Sequence, residues 1–107
     1  MLQAGRLSDI DRAFERARHC RVPLSLGLGQ HPDPDGTFSF YGATPSGFDF
    51  EIGAGSQTIN PAGWQVQTTD VTSTWGHAPN LRLQLQMAAG LLASKVWPPA
   101  GAKRTPQ

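Results

Sequence analysis

Thr37-Phe38-Ser39-Phe40-Tyr41, Thr44-Pro45-Ser46-Gly47 and Phe48-Asp49-Phe50-Glu51-Ile52 together decide the fold. Both flanks alternate with period two, and the Pro-Ser-Gly between them is turn chemistry, so the stretch reads as a β-hairpin. Phe38 and Phe40 point one way, with Thr37, Ser39 and Tyr41 opposite. Across the turn Phe48, Phe50 and Ile52 point one way, with Asp49 and Glu51 opposite. A slip of one residue would set apolar against polar, so the register must keep the apolar residues together. Ser39 then falls opposite or near Glu51, and Tyr41 opposite or near Asp49. One face is greasy and needs cover; the other carries Ser39, Tyr41, Asp49 and Glu51.

The cover lies upstream. Ser8 to His19 reads as a helix, with Ser8 as candidate cap, Asp9 and Asp11 in the first turn, and Ile10, Ala13, Phe14 and Ala17 as an apolar stripe. Arg12, Arg16 and Arg18 fall off the stripe as a solvated face. Val22, Leu24, Leu26 and Leu28 then alternate with smaller residues as a half-buried strand, and Gln30 to Gly36 is a turn. Cys20, the one cysteine, reads as a small buried apolar residue and cannot form an internal disulfide.

Farther on, Trp64, Val66 and Thr68 suggest a short strand and Trp75 a packed anchor. Leu81 to about Lys95 is rich in helix formers, Trp97-Pro98-Pro99 stops that helix, and Ala100 to Gln107 reads as a frayed tail.

Composition narrows the function classes. A chain of 107 residues is the size of one small domain, and a formal charge of +1 gives no footprint for nucleic acid or an anionic membrane. No run approaches the ~18 apolar residues of a membrane span, and no secretory leader opens the sequence, so a cytoplasmic location is expected.

Glu51 is the residue on which function turns. A carboxylate within a sheet is costly unless it is solvated, hydrogen-bonded or bound to metal. Its spacing alone leaves all three open.

The hairpin block also resembles the signature of the type I extradiol catechol dioxygenases, the biphenyl-2,3-diol 1,2-dioxygenase-like enzymes of the vicinal oxygen chelate (glyoxalase/bleomycin resistance) superfamily. Ser39-Phe40-Tyr41, Thr44-Pro45-Ser46-Gly47-Phe48 and Phe50-Glu51-Ile52-Gly53 carry the resemblance, in the family's order and spacing. Leu7 to Phe14, Leu28-Gly29-Gln30-His31, Trp64-Gln65-Val66 and Trp75-Gly76-His77 agree with it.

The resemblance implies an α+β fold: an incomplete βαβββ module with its first strand almost wholly missing, followed by a helical extension. Residues 1–79 would be the C-terminal part of a catalytic domain, and residues 80–107 the extension and a disordered tail. It implies an iron(II) enzyme that inserts both atoms of O2 into a catechol-type diol with ring cleavage, as a homo-oligomer in the full-length protein. By position, Glu51 matches the carboxylate ligand of Fe(II), His31 a histidine that hydrogen-bonds bound substrate or oxygen, and Tyr41 a tyrosine that contacts the catechol hydroxyl. Two histidines and a carboxylate on one face of iron(II) leave positions for a bidentate diol and for dioxygen.

Two departures accompany the resemblance. Gln30-His31-Pro32-Asp33-Pro34-Asp35 replaces the family's Arg-His followed by Thr or Ser, Asn and Asp, and is one residue longer before Tyr41. The family's two iron histidines precede the matching block, so further histidines are expected upstream of Met1. His19 and His77 match neither and read as structural or surface residues. An inactive remnant and a non-enzymatic small-molecule-binding module of the same superfamily remain the alternatives, and the 107-residue chain alone is expected to be inactive.

Overall fold

The computed structural model describes residues 1–96, with side chains through residue 92. The elements are β1 (Leu2–Gln3), α1 (Leu7–His19), β2 (Leu24–Gln30), β3 (Phe38–Ala43), β4 (Asp49–Ala54), β5 (Trp75–Gly76) and α2 (Leu81–Val96). They form one five-stranded mixed sheet in the order β1-β4-β3-β2-β5. The first five elements make a βαβββ module in which β1 is only two residues long and pairs parallel with β4 at Leu2–Ile52 and Gln3–Gly53.

The hairpin has the expected parity, but its register is two residues from the expected pairs: Ser39 stands opposite Gly53 rather than Glu51, and Asp49 opposite Ala43 rather than Tyr41. Phe38 faces Ala54, Phe40 faces Ile52 and Tyr41 faces Glu51. The apolar face receives α1: Ile10, Phe40 and Ala54 form the buried centre, packed around by Ala13, Phe14, Ala17, Leu24, Phe50 and Ile52. Phe14 meets Phe40 edge to face at 5.3 Å, an arrangement that sets ring edge against ring face. The helix arginines are solvated: Arg12 pairs with Asp9, and Arg18 with Glu15 at 3.3 Å.

Several expectations are corrected. Phe48 lies in the turn, 63% exposed, and β4 instead delivers Ala54 to the core. The turn holds Phe48 there, since the Thr44 amide and hydroxyl both donate to its carbonyl. The helix begins at Leu7 with Arg6 as its cap, and Arg6 makes no side-chain capping bond. Ser8 is therefore inside the first turn, and Leu7 packs close to Gly55. Cys20 is exposed at the end of α1, where the chain leaves the helix.

β2 departs from simple alternation. Leu24 pairs with Gly42 but Leu26 with Tyr41, and a second irregularity precedes the Gly29–Ser39 pair. These bulges turn Leu26 to the Tyr41 side, while Leu24 and Leu28 stay with the core.

The strand expected at Trp64 to Thr68 does not form. Val66 is 87% exposed, and the edge of β2 is taken by β5, which pairs at Gly29–Gly76 and Gln30–Trp75. Trp75, expected as a packed anchor, is instead 49% exposed, though its ring lies 5.8 Å from that of Phe38 and its Nε1–H donates to Gln30 Oε1 at 3.2 Å.

α2 starts at the expected residue. Asn80 caps it, its Oδ1 accepting the Leu83 amide at 2.7 Å, while its Nδ2 donates to the Leu24 carbonyl at 2.6 Å. That one side chain ties the second helix to β2. The stop at Trp97-Pro98-Pro99 and the tail from Ala100 lie outside the described residues.

Candidate functional site

The face opposite α1 collects the polar side chains. Strand parity puts Ser39, Tyr41 and Glu51 there from β3 and β4. Gly29 pairs with Ser39, so His31, two residues on, emerges on that face too.

The three residues singled out from the sequence meet in one network. Tyr41 donates its hydroxyl to Glu51 Oε1 at 2.8 Å. His31 Nε2 lies 3.0 Å from the Tyr41 oxygen and 3.4 Å from Glu51 Oε1. His31 Nδ1 donates to the carbonyl of Thr72 at 2.7 Å, which fixes one ring proton because a carbonyl can only accept. The longer turn after Gln30 therefore leaves His31 aimed at Tyr41. Asp35 fills the turn, accepting the Thr37 hydroxyl and, through its carbonyl, the Gln57 amide.

Burial gives the network its electrostatic character. The His31 and Glu51 side chains are 21% and 17% exposed, so Glu51 is a hydrogen-bonded carboxylate rather than a solvated one. Burial first, and then the hydrogen bond to Glu51, push the Tyr41 phenol up to about 12. Tyr41 is thus a neutral donor at physiological pH. When His31 Nε2 also carries a proton, each contact has its own hydrogen: imidazole to phenol oxygen, phenol to carboxylate. The arrangement can pass a proton along three side chains.

His77 was expected to be structural or superficial. It is buried, 7% exposed, and its ring lies 4.7 Å from that of His31 and 5.5 Å from that of Tyr41. Burial first, and then His31, lower its pKa below the usual histidine value. His19, by contrast, is exposed at the end of α1. Two glycines make room for His77. A Cβ on Gly29 would fall 2.4 Å from the His77 amide nitrogen, and one on Gly76 would fall 2.1 Å from the Leu28 carbonyl oxygen.

A cleft of about 580 Å³ lies beside this network rather than in it. Pro32, Pro34, Ile59, Trp64 and Val71 line it together with His31, whereas Tyr41, Glu51 and His77 do not.

Comparison with known proteins shows which enzymes the chain resembles. The chain is 37% identical over 78 residues to 2,2',3-trihydroxybiphenyl dioxygenase of Sphingomonas paucimobilis, covering 72% of this chain and 26% of that protein. It is 40% identical over 77 residues to 3-methylcatechol 2,3-dioxygenase of Pseudomonas putida, covering 72% and 25%. An iron-dependent extradiol dioxygenase of Rhodococcus jostii is 31% identical over 84 residues, covering 78% and 28%. The solved 2,2',3-trihydroxybiphenyl 1,2-dioxygenase from Sphingomonas wittichii superposes with a TM-score of 0.68 at 34% identity, over 73% of this chain and 27% of that one. No protein-family model matches.

The chain is homologous to the extradiol dioxygenases. It spans about a quarter of the length of the curated relatives it matches.

The Rhodococcus relative is named as iron-dependent. Among the described residues no three His, Cys, Asp or Glu side chains stand close enough to hold one ion. Glu51 Oε1 is engaged by Tyr41 and approached by His31, an arrangement that satisfies a carboxylate without metal. One carboxylate and one neighbouring imidazole do not fit iron(II) by themselves, since sites of this class use two histidines and a carboxylate. Among the described residues no helix is long and apolar enough to cross a membrane.

Proposed function

We propose that this chain is the Glu51-bearing part of an iron(II)-dependent extradiol dioxygenase acting on a catechol-type diol and O2. In this reading Glu51 is the carboxylate ligand, and the two histidine ligands come from outside the 107 residues. Residues 1–79 belong to the catalytic domain, and residues 80–107 form an extension. The observation that carries the reading is the Tyr41–Glu51–His31 network, built on the face away from the helix.

In the assembled site Glu51 would be the hard oxygen donor to iron(II), and the metal would bring the diol and O2 together. Tyr41, a neutral phenol, would offer its proton to a catechol oxygen. His31, held from behind by the Thr72 carbonyl, directs Nε2 at the same space. A tyrosine and a histidine so placed stabilise negative charge that develops on the substrate.

Glu51→Ala and Tyr41→Phe in the longest polypeptide that carries this chain test the reading. Glu51→Ala should remove both bound iron and ring-cleaving activity. Tyr41→Phe should leave iron bound and slow turnover, by roughly the 10²–10³-fold typical of losing one positioned donor. Full iron occupancy and activity in Glu51→Ala would refute the assignment.

A further inference from the structure

We infer that His77 is a positioning residue for this site, fixing the ring of His31 through Ser73 and through direct ring contact. The inference rests on the His31–Tyr41–Glu51 network being the working face, but its test reads the imidazoles directly, without iron or catechol.

Both nitrogens of His77 are committed. Nε2 lies 3.2 Å from the Ser39 carbonyl oxygen and 3.1 Å from the Ser39 hydroxyl. A carbonyl only accepts, so Nε2 carries the proton. Nδ1 then accepts from the Ser73 hydroxyl at 2.6 Å. Ser73 directly follows Thr72, whose carbonyl takes the His31 Nδ1 proton. The His77–Ser73 bond thus holds the segment that supplies the acceptor of His31, beside the bond from the Thr74 amide to the Gln30 carbonyl, and its loss loosens that segment. The ring contact at 4.7 Å braces His31 from another direction. On the strand side, Ser39 lies two residues before Tyr41, so His77 joins the strand that carries Tyr41 to the loop that holds His31.

The backbone is shaped to admit this side chain. Gly76 takes φ +71 and His77 itself φ 50, both in the left-handed region, which a histidine occupies at some cost. Gly29 lacks the Cβ that would collide with the His77 ring. A histidine that only filled space would not need two ring bonds, two cleared glycines and a left-handed backbone.

The experiment uses the full chain, labelled with ¹⁵N in its imidazoles, and reads ring-nitrogen shifts near neutral pH. His19, exposed on α1, is the internal reference with averaged nitrogens. His31 should show a fixed proton on Nδ1, and His77 one on Nε2. In Ser73→Ala, which leaves the backbone alone, the His31 nitrogens should move toward the averaged pattern of His19. In His77→Phe, which keeps a ring but no nitrogen, they should do the same. His77→Asn sets an amide near the Nδ1 position and tolerates positive φ, so it should restore the fixed His31 pattern. Should His77→Phe lose its folded spectrum, Ser73→Ala alone decides. A His31 pattern unchanged in Ser73→Ala, or one already averaged in the unmodified chain, overturns the inference.

Discussion

Tyr41 stands directly opposite Glu51 across the β3–β4 pair, and its hydroxyl reaches Oε1 at 2.8 Å. A shift of pairing by two residues would preserve every apolar contact type yet separate these groups. The register is therefore what joins the two residues. It is held by the Thr44–Phe48 turn bonds.

The Tyr41 phenol should ionise near pH 12 rather than 10, because burial and the Glu51 carboxylate disfavour phenolate. Tyr41 is the chain's one tyrosine, so an ultraviolet pH titration reads it alone. A folded pKa above the unfolded value of 10.0 contributes stability that is complete below pH 10 and is lost as pH rises toward 12. Glu51→Gln should lower the phenol's titration midpoint. A native midpoint at the unperturbed value would contradict the geometry.

His77 carries the opposite sign. Its folded pKa is depressed below 6.5, so its contribution is present above pH 6.5 and is lost as pH falls through the lowered folded value. Denaturant midpoints should therefore fall on acidification from neutral pH, and the fall should be shallower in His77→Asn. An equal slope in both proteins would assign the acid sensitivity elsewhere.

Gly29→Ala should detach β5. The added methyl would meet the His77 backbone nitrogen at 2.4 Å and the ring at 2.5 Å, and backbone cannot rotate aside. Overpacking of this kind costs about 1–3 kcal/mol. Loss of amide-exchange protection at His77, whose amide donates to Leu28, and at Thr74, whose amide donates to Gln30, is the measurement. Unchanged protection at both would contradict the packing of β5 on β2.

The hairpin was legible because a two-residue period binds face to register: Phe38, Phe40, Phe50 and Ile52 could share a face in only one parity. The ends of the elements were less so. Phe48 continued the alternation but was claimed by turn hydrogen bonds, and Leu26 kept the period while bulges turned it over. Neither effect leaves a periodic trace. β5 is two residues long, too short for any pattern, yet it brings His77 across Gly29 and into the network. His31, Tyr41 and Glu51 were found by motif and placed together by the fold. His77 is told from a surface histidine only by the β2–β5 pairing, which sets it across Gly29.

The central claim is that Glu51 completes an iron site whose other ligands lie beyond these residues. Its most direct measurement is anaerobic iron(II) loading of the 107-residue chain, and of the longest polypeptide containing it, followed by catechol and oxygen. Bound iron and the yellow ring-fission product are read in each. The longer protein should hold iron and form product, Glu51→Ala should abolish both, and the 107-residue chain alone should do neither. Tight iron and yellow product from the 107-residue chain, or a longer protein indifferent to Glu51→Ala, would contradict the claim.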